Sequence, residues 1–176
     1  NSLVRQGFNA EKGAVLGTIS GTRNPRNQAQ SLIDSAISNL NTFKARLAQI
    51  SADLAATGKT TCVSGATGIV VSTVQNNITA DIAWADTTIA QLQSEGVENR
   101  KILDPLNTVV AEINQMTPSR PNLNRLDEIN YEISQLIDDN AANAFLSSVQ
   151  TETTPINASI TQKTATYNQQ LNQCQN

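Results

Sequence analysis

Residues 27–57 read NQAQSLIDSAISNLNTFKARLAQISADLAAT. Within them Ile33, Ala36, Leu40, Phe43, Leu47, Ile50 and Leu54 recur at alternating steps of three and four. That spacing lays one apolar stripe along a single α-helix. Gly58 is a natural stop just beyond it. About 30 residues at a helical rise of 1.5 Å make a rod of roughly 45 Å.

Downstream, GKTTCVSGATG (58–68) has the composition of a turn region. A second stripe follows, formed by Val71, Val74, Ile78, Ile82, Ala85, Ile89 and Leu92, with Gly96 as its stop. Its many β-branched residues make strand the competing reading, and the length of the periodic run favours helix. A third helix is expected over 97–116, where Leu106, Val110 and Ile113 carry the stripe. Asp104-Pro105 reads as a fresh N-cap with proline at the first helical position, so a break or kink is expected there. TPSRPN (117–122) reads as a linker. A fourth helix carries Leu126, Ile129, Ile133, Ile137, Ala141, Phe145 and Val149. A fifth begins near Thr154-Pro155 and carries Ile156, Ile160, Tyr167 and Leu171.

Upstream, Gly7, Gly13, Gly17 and Gly21 interrupt the first 26 residues. Glycine is a poor helix former, so residues 1–26 are expected to be a mobile or draped N-terminal arm. Leu3, Val4, Phe8, Val15 and Leu16 are its docking candidates. The expected fold is all-α: an elongated, up-and-down antiparallel bundle of about five helices over residues 27–176. Its possible lobes are a long helical hairpin at 27–96 and shorter helices at 97–176.

A chain of 176 residues can bury a real core without metals or several disulfides. Aromatics are only 3%, so that core must come from Leu, Ile, Val and Ala, which suits helix-on-helix packing. Charged residues are 15%, well under the usual quarter or so, and Asn, Gln, Ser and Thr supply the polar surface instead. That balance leans towards an extracellular protein. The net charge of −3 gives no electrostatic reason to meet nucleic acid or an anionic membrane. No run approaches the roughly 18 apolar residues of a membrane span. The start at Asn1, without methionine, reads as a processed, mature product.

The two cysteines test the architecture. Numbering the five helices alternately up and down places the turn after the first and the end of the fifth at the same end. Those places hold Cys62 and Cys174. A Cys62–Cys174 disulfide is therefore expected, with two free thiols as the alternative for a cytosolic protein. Two sequons, Asn77-Ile78-Thr79 and Asn157-Ala158-Ser159, fit a secretory route and make Asn77 and Asn157 glycosylation candidates.

Catalytic inventory is thin. The chain has no histidine, which removes the Ser-His-Asp and Cys-His units and imidazole metal sites. Asp127, Glu128, Glu132, Asp138 and Asp139 cluster in sequence without calcium-loop spacing and read as solvated helix surface. GKTT (58–61) echoes the end of a phosphate-binding loop, yet position 53 holds Asp53 where that loop needs glycine. No cofactor, metal or catalytic residue is assigned, and the chain is not expected to be an enzyme.

Trp84, the single tryptophan, lies off the core stripe on a face with Asn77, Asp81, Thr88 and Gln91. Either the N-terminal arm covers it, through Phe8, or it is a partner contact.

The start NSLVRQGFNAEKG, amide-rich helices such as NQAQSLIDSAISNL and the cysteine in QLNQCQN make the chain resemble small secreted helical proteins of biting-fly saliva. The hematobin-like proteins of the horn fly are the nearer comparison. The tsetse EP-type domains are more distant, being richer in Tyr and Cys. The resemblance implies a non-enzymatic salivary effector that dampens host inflammatory or haemostatic responses through a host protein or cell-surface target. A monomeric carrier of a small hydrophobic ligand between helices is the alternative.

Overall fold

The structure, a computed structural model, describes residues 2–176. Among them the chain forms α1 (Ser2–Ala56), β1 (Thr61–Ser64), β2 (Thr67–Val70), α2 (Val71–Asn114), α3 (Arg120–Glu132) and α4 (Asp139–Gln175). The protein is mostly helical, with four helices rather than five and one small antiparallel sheet among the described residues.

The largest correction is at the N-terminus. Residues 2–26 are not an arm; they are the first turns of α1. Phe8, Val15 and Ile19 are buried, and the alternating steps run on through Thr22, Arg26 and Ala29 into the stripe already read. Gly7, Gly13 and Gly17 lie on the exposed side, and among the described residues nothing beyond the adjoining stretch of their own helix comes within 4 Å of where a Cβ would stand. Each glycine costs a helix about 1 kcal/mol. Burying each large apolar side chain returns about 1.5–3 kcal/mol, which decides the balance. Gly21 is different, because a Cβ there would stand 2.3 Å from Asp139 Oδ2. Its bare backbone lets the start of α4 approach α1. Thr22 Oγ1 then donates to Asp139 Oδ1 at 2.7 Å and accepts from the Asp138 N–H at 3.0 Å.

Three expected breaks are likewise absent. α2 runs unbroken through Gly96 and Pro105, and α4 runs through Pro155. An interior proline forfeits one backbone hydrogen bond and costs about 3 kcal/mol. Here Pro105 and Pro155 are exposed, while Leu103, Leu106, Thr153 and Ile156 beside them are buried. The apolar stripe therefore continues past each ring. The real break falls inside the expected fourth helix, between α3 and α4. Asp138 caps α4 there, its Oδ1 accepting from the Ala141 N–H at 2.9 Å. The 117–122 linker is shorter than expected, since Ser119 Oγ caps α3 by accepting from the Asn122 N–H.

The turn region after α1 contains the β1–β2 hairpin, with Cys62 opposite Ile69 and Ser64 opposite Thr67. Gly65, at φ 62°, opens its two-residue loop, as a type II′ turn requires. Gly58, at φ 66°, supplies the left-handed residue that ends α1.

Two compact units are present: Asn1–Leu32 with Glu95–Gln150, and Ile33–Ser94 with Thr151–Asn176. The lobes expected at 27–96 and 97–176 assumed contacts local in sequence. Instead α1, α2 and α4 each contribute a segment to both units.

The first unit holds a core of Phe8, Val15 and Ile19 from α1, Leu106, Val109 and Ile113 from α2, and Leu126, Ile129 and Ile133 from α3 and its end. It also holds a buried polar layer. Arg26 Nη1 donates to Asn99 Oδ1 at 3.0 Å. Asn99 Nδ2 donates back to the Arg26 carbonyl at 3.0 Å and to Gln30 Oε1 at 3.1 Å. The Arg26 guanidinium stands 5.5 Å from the centre of the Phe145 ring. Burial pushes its pKa down, and the Asp138 charge opposes that shift.

In the second unit Ile33, Leu40, Leu47 and Leu54 of α1, Val74, Ile78 and Leu92 of α2, and Tyr167 and Leu171 of α4 are buried. The pairs Lys44–Asp86 and Ser51–Gln75 step in opposite chain directions, so α2 runs antiparallel to α1 here. The pairs Asn39–Asn157 and Arg46–Asn168 rise together, so α4 runs parallel to α1. That direction brings the end of α4 to the hairpin, where Cys62 and Cys174 are joined by a disulfide with Cα atoms 5.1 Å apart. Lys59 Nζ donates to the Cys174 carbonyl at 2.8 Å, and Gln173 Nε2 donates to the Cys62 and Thr67 carbonyls.

Candidate functional site

The second unit gathers most of the residues singled out in the sequence. Trp84 sits on α2, half-buried, with its ring edge-on to Phe43 of α1 at a centroid distance of 6.0 Å. The other cover is Lys163 of α4, whose Nζ stands 4.5 Å from the centre of the Trp84 ring. Phe8 does not cover it; that ring belongs to the core of the first unit.

Lys163 is held in place. Its Nζ donates to Asp81 Oδ1 at 2.8 Å, one turn before Trp84 on α2. Tyr167, one turn after Lys163 on α4, donates its hydroxyl to Asp81 Oδ2 at 2.5 Å. One carboxylate thus ties two consecutive turns of α4 to α2, and the ammonium lies over the indole face.

Burial first, and then the Asp81 hydrogen bond and charge, push the Tyr167 phenol above the ordinary tyrosine range. The phenol therefore stays protonated at neutral pH and serves as a donor, not a base. Its native pKa exceeds its unfolded value of about 10, so its contribution to stability is whole at neutral pH. That contribution is lost as pH rises through the native pKa. In a Tyr131→Phe variant Tyr167 is the one remaining tyrosine. Its absorbance titration is expected to rise only above the range of free tyrosine, and a midpoint near 10 would contradict the Asp81 latch.

Two openings flank this latch. A cleft of about 310 Å³ lies between α2 and α4, lined by Asn77, Lys163, Thr166, Tyr167 and Gln170 among others. A larger groove of about 670 Å³ lies between α1 and α4. Phe43 and Ile160 line it with Arg46, Asn157, Ala165 and Asn168. Amide bridges span this groove, from Asn39 Nδ2 to Asn157 Oδ1 at 3.1 Å and from Arg46 Nη2 to Asn168 Oδ1 at 2.6 Å. The two sequons thus fall on different openings. Asn77 is exposed at the smaller cleft, and Asn157 is half-buried in the wall of the larger groove.

The acidic run is dispersed by the fold. Glu128 and Glu132 join Glu112 around Arg125, which they hold by hydrogen bonds of 2.6–3.2 Å. Asp138 caps α4, and Asp139 meets Thr22. Glu11 is pushed above the usual carboxylate range, chiefly by its hydrogen bond with Asp127. No group of three or more His, Cys, Asp or Glu among the described residues could hold a metal ion. No helix among them is long and apolar enough to cross a membrane.

Sequence reasoning missed Lys163 as the partner of Trp84, because nothing local to α4 marks it. The Arg26–Asn99–Gln30 layer did leave a signal. Asn99 lies seven residues after Leu92 and seven before Leu106, squarely on the α2 stripe.

No family model, curated protein or solved structure matches this chain.

Proposed function

We propose that this chain is a secreted, non-enzymatic interaction protein built as an up-and-down helical bundle. Its resemblance to hematobin-like salivary proteins makes host inflammatory or haemostatic proteins its targets. The α1–α4 groove carries the reading. Phe43 and Ile160 give it an apolar floor, and Asn39, Arg46, Asn157 and Asn168 give it a hydrogen-bonding rim. Protein interfaces combine such an apolar centre with such a rim. The Cys62–Cys174 disulfide supports an oxidising compartment, where such bonds persist. The convergent ionisable groups, Lys163–Asp81–Tyr167 and Arg125 with its three glutamates, are engaged with one another and hold helices together.

The groove volume of about 670 Å³ also favours a second reading, a carrier of a small hydrophobic ligand. One variant separates the two. Ala165 is exposed in the groove wall, so Ala165→Trp fills the groove without replacing a core residue. For an interaction protein, saturable binding to a host plasma or leukocyte-surface protein is expected, weakened about tenfold by Ala165→Trp at unchanged helicity. For a carrier, protein from its natural source yields a stoichiometric apolar molecule on organic extraction, which the variant does not retain. Binding that ignores the groove variant sinks the first reading.

A further inference from the structure

We infer that Asn77 carries an N-linked glycan whose first sugar lies in the α2–α4 cleft, and that Asn157 stays bare. The inference rests on the secreted reading, since the modification needs the secretory route. The sequence offers both sequons alike, and the fold separates them.

Asn77 is exposed on the second turn of α2 and opens directly onto the cleft of about 310 Å³. The cleft wall is made almost wholly of hydrogen-bonding side chains: Gln162, Lys163, Thr166, Tyr167 and Gln170. Gln170 Oε1 is buried and has no hydrogen-bond partner among the described residues. A buried acceptor left unpaired is costly, and a ligand that donates to it removes the cost. The hydroxyl and N-acetyl N–H groups of a core sugar are donors of that kind. They would be attached at the cleft's own edge, so no separate binding step is needed.

Asn157 offers the opposite setting. It is half-buried, its Oδ1 accepts from Asn39 Nδ2, and it lines the larger groove. A sugar on its Nδ2 would have to turn the side chain outward, break the Asn39 bridge and cover the groove. A glycan on Asn77 leaves that groove open. The placement of the two sequons thus assigns a sheathed face to α2–α4 and a free one to α1–α4.

The test is to secrete the full chain from eukaryotic cells behind a cleavable leader, with N77Q and N157Q in parallel. Intact-mass measurement is expected to find one glycan, lost in N77Q and kept in N157Q. Trimming to the single innermost sugar by an endoglycosidase tests the seating. The trimmed protein is expected to melt about 2–4 °C above N77Q, and Gln170→Ala is expected to erase that difference. A glycan on Asn157, on both sites or on neither overturns the assignment. Equal melting of the trimmed protein and N77Q overturns the seated sugar. The leader imposes the secretory route whatever the natural compartment, so a failure here is a failure of the site. Recovery of the native protein from cytosol would instead count against the secreted reading alone.

Discussion

Replacing Cys62 and Cys174 together by alanine is expected to lower the melting temperature by about 8–20 °C. The bridge spans 112 residues of sequence. Cross-linking a loop near that length removes chain entropy from the unfolded ensemble worth about 4–5 kcal/mol. For a chain of this size each kcal/mol shifts the midpoint by about 2–4 °C. Both cysteines are buried, so alanine is the fair replacement; serine would add the cost of burying a hydroxyl. The loss should be local at first. Without the bridge, the end of α4 is held to the hairpin region by hydrogen bonds from Lys59 and Gln173 and by the burial of Leu171. Hydrogen exchange is expected to accelerate over residues 167–175 before the midpoint of global melting. Calorimetry of the oxidised wild type against the double variant reads the first effect, and exchange mass spectrometry the second. A shift under about 3 °C would show that the ends meet as often in the unfolded chain without the bond.

The disulfide was legible in the sequence for a reason that survived a wrong helix count. Five alternating helices and three long ones both reverse direction an even number of times before the last. In the second unit α1, α2 and α4 run up, down and up, and the Cys62 turn and the Cys174 terminus meet. The stripes were legible as well, because a run of buried positions from Ile33 to Leu54 is a statement about one helix face and needs no knowledge of its neighbours. The element ends were not. By sequence alone Gly96 looks like a stop, Pro105 a break and Pro155 a fresh start, because each carries a local penalty of about 1–3 kcal/mol inside a helix. In a helix of 44 or 37 residues that penalty is spread against a long buried face, and the helix continues. Conversely, the true break before Asp139 carries no glycine or proline; its only mark is the capping carboxylate of Asp138. The Trp84 latch was half legible. Asp81 and Trp84 share a face by spacing alone, whereas Lys163 and Tyr167 reach them only because α4 returns alongside α2.

Asn99→Leu is expected to destabilise the protein by about 3–5 kcal/mol, although leucine suits a stripe position by size and polarity. Asn99 is 1% exposed and bonds three groups at once: the Arg26 guanidinium, the Arg26 carbonyl and Gln30 Oε1. Leucine would leave a buried cation without the acceptor on Nη1, while its Nε already lacks a hydrogen-bond partner among the described residues. Buried hydrogen-bonding groups left without a partner, the guanidinium N–H among them, and not lost packing, set the magnitude. The argument makes a second demand. Arg26→Met, Gln30→Leu and Asn99→Leu combined remove the charge, the amides and their needs together, so the triple variant is expected to melt at or above the wild type. What it should lose is discrimination. On stripes that repeat every seven residues, from Leu92 through Asn99 to Leu106, a single polar layer distinguishes one alignment of α1 and α2 from its neighbours a heptad away. Denaturant melts of the single and triple variants, with amide NMR spectra of the triple, separate stability from register. A single variant as stable as wild type would mean that the three hydrogen bonds are not formed in solution. A triple variant that stays as unstable as the single one would mean that Arg26 was never the group whose burial mattered.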